Sequence, residues 1–345
     1  MKSYTRYAKS LRFTLLLLIT TILVPQVSLA EAAPKVTIKN YVRAETDFQM
    51  RSYIEKFHCF GKFDHIRDAY DVNSKITVRP NRDTIYSWGV FDLTSPLTIG
   101  LPDPKGRYQS LMIVNQDHSI WAEYGPKDVT LTKANVGTRY ALLLVRTFIN
   151  PNDEEDISAA HALQDAITVK QADKGEFDVP DWKQEDVEAM RNTINIVAAA
   201  ATDSSKAFGR KEDLDPVYWI LGAAIGWGGL PAKDSTYAGG FPEKNDGKTP
   251  YTLIVKDVPV DAFWSVTVYD DKGMFAVNKY DAYSYNSVTA KRNKDNSVTI
   301  HFGGDPGQDN FLPITPGWNY VVRMYRPRKE ILEGSWKFPK PVEAK

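Results

Sequence analysis

Cysteine is almost missing from this chain. Cys59 is the only one in 345 residues, so no internal disulfide can hold the protein together and a small cystine-stapled scaffold is excluded. Histidine is scarce too, with five residues in all. His58, Cys59 and His65, with Asp64 or Asp68 as a further ligand, have no spacing that matches a zinc site, so neither a metal nor another cofactor is expected. A charge excess is also lacking, because 43 Lys and Arg balance 43 Asp and Glu, and nothing electrostatic draws the chain to nucleic acid. Neither the G-x-S-x-G elbow of serine hydrolases nor the H-E-x-x-H of zinc peptidases occurs. Asp246-Gly247-Lys248-Thr249 ends like a phosphate loop, but Pro242 stands where its first glycine belongs. Gly226-Trp227-Gly228-Gly229 fails as a dinucleotide fingerprint because Pro231 replaces the third glycine.

A membrane-spanning run is missing at the N-terminus as well. The apolar stretch Phe13 to Val24 has about 12 residues where a spanning helix needs about 20. Lys2, Arg6, Lys9 and Arg12 precede it and Ser28-Leu29-Ala30 follows, so residues 1–30 read as a secretory signal peptide cleaved after Ala30. The expected location is periplasmic or secreted, with no stable membrane insertion after cleavage. The mature net charge is then about −4.

What the chain does have is short β-type runs with frequent punctuation. Ile85 to Asp92, Arg107 to Val114, Ile120 to Tyr124, Val129 to Thr132 and Arg139 to Phe148 are predicted strands, and the turn residues between them suggest a sandwich or barrel. Both faces of Ile85 to Asp92 are apolar or aromatic, so that strand is expected to be covered on both sides. After Asn150-Pro151-Asn152 the period becomes helical: one helix behind the acids Asp153 to Asp156, a second from near Asp181 with Gln184 in a capping-box position, and a third from Asp215-Pro216 to Ile225. Strands resume at Tyr251. Ala262 to Asp270 and Met274 to Asn278 flank Asp270-Asp271-Lys272-Gly273 as a hairpin, followed by Ser297 to Phe302 and Trp318 to Tyr325. The reading is mainly β: an N-terminal β-sandwich over 31–150, a helical segment over 151–235 and a C-terminal sandwich over 236–345.

The densest polar stretch is Arg79 to Ser87, R-P-N-R-D-T-I-Y-S, at the mouth of a strand, with Phe63, His65 and Arg67 upstream. Pro80 biases Arg79 to extended backbone and cannot donate to a ladder, so the stretch is a loop feeding a strand. These residues resemble the signature of the bacterial family called domain of unknown function 1254, roughly V-x-P-N-x-D-T-x-Y-S after F-x-H-x-R. Tyr251, F-W-S-V-T-V-Y-D from Phe263 and L-P-I-T-P-G-W-N-Y from Leu312 resemble the partner family, domain of unknown function 1214. The resemblance implies two β-rich domains with helices between them, the second of jelly-roll type, and supplies no agreed activity.

The candidate site is therefore His65 and Asp83 as catalytic acid–base groups, with Arg67, Arg79, Asn81, Arg82, Thr84 and Tyr86 binding substrate. The arginines suit a carboxylate, sulfate or phosphate. A second reading stands beside this one: Asn81 and Asp83 tie up turn backbone, and Arg and Asp form a buried structural pair. Asn115, Asp117, His118 and Trp121 are open to the same choice between a sugar-binding surface and an Asx turn, and His161 with Asp165 reads as an ordinary helix pair. The ligand expected is a small molecule or carbohydrate, met by a cofactor-free hydrolase or lyase, or by a non-catalytic binding or envelope-assembly protein.

Overall fold

The computed structural model describes residues 33–201 and 206–344, and positions 1–30, read above as a signal peptide, lie outside them.

The first element, α1 (Tyr41–Phe57), precedes a group of strands that form two layers: β1 (Asp64–His65), β2 (Thr84–Asp92), β3 (Leu97–Leu101), β4 (Gln109–Asn115), β5 (Ile120–Glu123), β6 (Lys127–Leu131) and, after the short α2 (Lys133–Val136), β7 (Tyr140–Phe148). One sheet has the order β1-β2-β7-β4-β5. The other is β6-β3-β8, its last strand β8 (Thr168–Gln171) arriving after α3 (Glu154–Asp165). Alternation decides which residues meet between the layers. Phe91, Leu111, Ile113, Ala141, Leu143 and Val145 of the large sheet pack on Leu97, Ile99, Val129 and Leu131 of the small one. Their neighbours Val90, Met112, Leu142 and Leu144 point the other way, under Met50, Tyr53, Ile54 and Phe57 of α1. The large sheet is thus buried on both faces, as the near-continuous apolar run of β7 requires.

Between the sandwiches, Asp153 caps α3 by accepting from the N–H groups of Glu155 and Asp156, and three acids fill its first turn. The capping-box contact expected at the second helix does not form. α4 (Gln184–Ala198) starts at Lys183 with no side-chain cap, and Gln184 instead donates to Glu188 one turn on. α5 (Pro216–Ile225) begins as expected, with Asp215 accepting from Val217 and Tyr218. It packs with α4 and α1 around Tyr41, Val187, Ile194 and Leu221.

The C-terminal layers are β9 (Ser235–Gly240), β10 (Tyr251–Val255), β11 (Trp264–Tyr269), β12 (Ser284–Asn286), β13 (Val298–Phe302), β14 (Phe311–Leu312), β15 (Asn319–Tyr325) and, after α6 (Lys329–Leu332), β16 (Val342–Glu343). They form two four-stranded sheets, β14-β13-β10-β16 and β12-β11-β15-β9. Leu253, Val255, Ile300 and Phe302 from one meet Val266, Val268, Val322 and Met324 from the other around the fully buried Trp318. The expected hairpin is half right. Its turn closes, with Asp270 donating to and accepting from the Gly273–Met274 segment, but Met274–Asn278 is not a strand. Phe275 is drawn instead into a cluster with Tyr269 and Tyr283, and β12 takes the place beside β11. By content the chain is mostly β, 28% strand against 21% helix.

Candidate functional site

The Arg79–Tyr86 stretch lies where the two sandwiches meet, and most of its polar atoms are spoken for. Arg79 is not extended as Pro80 would favour but has a left-handed backbone (φ 51°), held by its N–H on the Gly273 carbonyl (2.7 Å) and by its own carbonyl accepting from buried Arg323 (2.7 Å). Its Nε donates to Asn319 Oδ1 at 3.0 Å. Arg82 pairs with Asp281 and stacks over Tyr283. Asp83 is fully buried, and its Oδ1 accepts from Asn286 Nδ2 (3.1 Å) and more weakly from Ser284 Oγ (3.4 Å). Asn81 accepts the Asp83 N–H in an Asx turn, the turn-closing role that is the structural reading of this residue.

His65 and Asp83 do not meet. His65 sits in β1 opposite Ser87, four residues beyond Asp83 along extended chain, a separation of about 13 Å. Its Nδ1 is 2.7 Å from Ser87 Oγ. Burial, and then the nearby Arg67 guanidinium, lower the imidazole below its ordinary value, so it is neutral at pH 7. Arg67 is engaged with Asp165, Gln164 and the His161 carbonyl of α3, far from substrate duty. The acid–base pair expected from the sequence is corrected accordingly: β pairing commits His65 to the α3 side, whereas Asp83 enters the C-terminal sandwich. Nor does Asp83 pair with an arginine. Its partners are an amide and a hydroxyl, so Asp83→Asn, which keeps an acceptor for Asn286, should change stability by only about 1 kcal/mol in urea titration. A loss near 4 kcal/mol would show that the negative charge itself holds the interface.

Three of the flagged residues do come together around a group the sequence reading passed over. Asn81 Nδ2 donates to Thr84 Oγ1 (3.0 Å), to the Tyr325 phenol (3.0 Å) and, at 3.4 Å, to the Tyr86 phenol. Tyr86 is directly opposite Arg146 in β7, and Arg146 is directly opposite Ser110 in β4, so the three form a cross-strand row on one face. The Tyr108 phenol donates to Ser110 Oγ at 3.0 Å. Arg146 is half-buried, its guanidinium 5.9 Å from the Tyr86 ring centroid, with a weak contact to Met112 Sδ at 3.4 Å. No carboxylate pairs with it among the described residues. Beside the row stands an aromatic wall: Tyr53 and Trp88 stack at 4.3 Å, Tyr86 and Trp88 at 5.9 Å, Tyr53 and Trp227 at 6.1 Å. Trp88 Nε1 has no acceptor among the described residues.

The electrostatics of this row are those of a donor set. Burial pushes the Tyr108 phenol up to about 12 and the Tyr53 phenol up to about 12, in each case against the pull of Arg146. Burial also raises Tyr325. These phenols stay protonated at neutral pH, so they donate rather than act as bases. One sequence signal could have found Arg146: a guanidinium inside the apolar strand A-L-L-L-V-R-T-F, since arginine is seldom buried without a partner.

The second polar group of the sequence resolves into structure. Asn115 Oδ1 accepts from the N–H groups of Asp117 and Ser119, an Asx turn, and His118 is buried under Trp227. Among the described residues no grouping of three or more His, Cys, Asp or Glu could hold a metal ion, and no helix is long and apolar enough to cross a membrane.

Two β-sandwiches locked through a polar strand mouth define the class of this protein. Residues 60–125 match the family described as Protein of unknown function (DUF1254), and residues 236–329 match Protein of unknown function (DUF1214), in the order the resemblance implied. His65 to Tyr86 lie in the first match and Asn286, Asn319 and Tyr325 in the second, so the interlock joins the two. Among solved structures, the VPA0106 protein from Vibrio parahaemolyticus is similar in fold at 19% identity and a TM-score of 0.70, over 89% of this chain and 98% of that one. An uncharacterized protein from Burkholderia cenocepacia is 12% identical over 91% of this chain and 92% of that one, with a TM-score of 0.47. No curated protein matches the chain.

Proposed function

We propose that this protein is an exported binding protein for a small organic anion, whose carboxylate or similar group is received by Arg146 and whose body lies against Tyr86 and Trp88. The observation that carries this reading is Arg146 itself, a half-buried cation with a ring face and a thioether for neighbours and no carboxylate among the described residues. A cation held so is costly until an anion arrives. Ser110, Trp88 Nε1 and the protonated phenols of Tyr53 and Tyr325 add donors, and donors in a dry setting favour negative charge on the ligand. A hydrolase or lyase built on His65 and Asp83 has no geometric support, because the two groups serve different packing surfaces.

The test is calorimetric titration of the mature chain with a panel of aromatic and aliphatic carboxylates beside their neutral amides. At least one acid should bind while its amide does not, and Arg146→Gln should weaken it about tenfold or more. Equal affinity in the parent and in Arg146→Gln would remove Arg146 from recognition and with it this reading.

A further inference from the structure

A cavity of about 520 Å³ lies between the sandwiches, next to the Arg146 row with which it shares Tyr108, and is lined by Arg107, Gln109, Tyr124, Phe148, Phe263 and Arg326 among others. Its volume falls in the range of small-molecule sites, about 300 to 1,000 Å³. Most of its charged groups are already matched. Arg107 grips both oxygens of Asp156 (2.9 and 2.7 Å) and the Phe148 carbonyl (2.8 Å), and Asp261 pairs with Arg328 at 2.6 Å.

Beside Lys105, an exposed cation that pairs with no carboxylate among the described residues, two groups are left over. Gln109 is only 4% exposed; its Nε2 donates to Thr147 Oγ1 at 3.0 Å, while Oε1 has no partner among the described residues. A buried amide oxygen without a donor costs stability that a hydroxyl-bearing ligand would return. Arg326 is the other. Its guanidinium lies 4.9 Å over the Tyr124 ring and pairs with no carboxylate among the described residues.

This arrangement is held rather than incidental. Arg326 has a left-handed backbone (φ 52°), fixed on both sides by its N–H on the Asp234 carbonyl (2.9 Å) and by its carbonyl accepting from Asp261 N–H (2.9 Å). Side chains held in such conformations by surrounding bonds cluster at ligand sites. The Tyr124 ring beneath is anchored through its phenol, which donates to Asp234 Oδ1 at 2.8 Å. An anchored ring carrying a cation, beside a buried acceptor, asks for one molecule with both an acid group and hydroxyl donors.

We infer that this cavity is a second ligand site, beside the Arg146 row but served by Arg326 rather than Arg146, for a hydroxylated carboxylate of monosaccharide size: the carboxylate on Arg326, a hydroxyl donating to Gln109 Oε1, and the body of the sugar in the space between them. The probe is D-galacturonate, with D-galactose as its counterpart lacking the acid, titrated calorimetrically into full-length mature protein carrying Arg146→Gln so that the first site cannot answer. Galacturonate should bind, galactose should bind about tenfold or more weakly, Arg326→Gln added to this background should cause a similar loss, and Arg326→Lys should recover part of it. Arg326 is exposed, so these variants should fold; circular dichroism checks that they do. The inference is overturned if galacturonate gives no binding in the Arg146→Gln protein, whether or not it binds the parent, or if Arg326→Gln binds as tightly as its background. Because Arg146 is absent throughout, either failure leaves the anion-binding reading of the first site standing on its own test.

Discussion

Replacing Arg323 by Met should destabilise the protein by about 3 kcal/mol, more than any surface substitution would. Arg323 is 5% exposed and spends its guanidinium on four acceptors: the Arg79 carbonyl (2.7 Å), the Pro80 carbonyl (3.3 Å), the Tyr269 phenol (3.0 Å) and Thr267 Oγ1 (3.2 Å). Two effects oppose each other. Methionine removes a cation whose burial is costly, which favours the variant. It also leaves the Arg79 carbonyl without its buried donor and takes three further charge-assisted bonds away, each worth about 1.5 to 3 kcal/mol. Four bonds outweigh the relief, because Pro80 keeps only the Tyr269 phenol at 2.6 Å and the loop's other ties to β15, Arg79 to Asn319 and Asn81 to Tyr325, are single side-chain bonds. Urea titration measures the net effect. Limited proteolysis on the same variant should show earlier cutting near Arg79, because Arg323 is what fastens that loop to the C-terminal sandwich. A variant as stable as the parent would mean that desolvation of the guanidinium cancels all four bonds, and that the strand mouth is held by Asn81, Asp83 and Asn319 without it.

The same contacts explain how far the sequence could be read. Strands β2, β4, β7, β11 and β15 were legible because apolar residues run through them and Gly, Pro or Asp punctuates their ends. Helix α1 was not. It buries Glu45, Thr46 and Asp47 beside Tyr41, Val42 and Met50, so its inward face carries no apolar stripe. The partners that neutralise or anchor those acids are distant in sequence: Arg191 for Glu45, Gln116 and Trp182 for Asp47, with Tyr41 and Gln49 of the same helix adding local donors to Glu45. Strand β9 was missed for the opposite reason, since S-T-Y-A-G-G has little to bury and owes its shape to pairing with β15. At the site, the polar density of Arg79 to Tyr86 was a true signal of something special, but density alone does not say whether the groups face a ligand or another domain. Asp83 and Arg79 face the other sandwich, Asn81, Thr84 and Tyr86 face the row of Arg146, and only tertiary structure separates them.

Acid should weaken the protein through His118 more than through any other histidine. His118 is fully buried; its Nε2 accepts the Gly228 N–H at 2.9 Å, its Nδ1 has no partner among the described residues, and its ring packs against Trp227 and Phe208. Burial depresses the imidazole to about 3. The unfolded chain takes up this proton near pH 6.5, whereas the native state refuses it until about pH 3. Over that window the unfolded state binds more protons, so stability falls as pH falls, by about 1.4 kcal/mol per pH unit and roughly 4 to 5 kcal/mol in all. Other groups titrate there too. Asp92, buried, and Asp156, half-buried, are held below the ordinary carboxylate range by Arg139 and Arg107 and also lose stability in acid, while Asp47 and Asp234, raised by burial, act the other way. The contribution of His118 is isolated by His118→Gln, whose amide oxygen can still accept from Gly228 but does not titrate. Guanidinium titrations of parent and variant at pH 7, 5 and 4 should show the variant gaining on the parent with each step down. Since a protonated His118 cannot accept from Gly228, the Trp227 wall beside Arg146 should loosen first, seen as a Trp fluorescence change in the parent and not in His118→Gln. Parallel stability curves for the two proteins would mean that the buried ring finds a way to charge in the native state, and that the G-W-G-G loop is held by its packing rather than by this one acceptor.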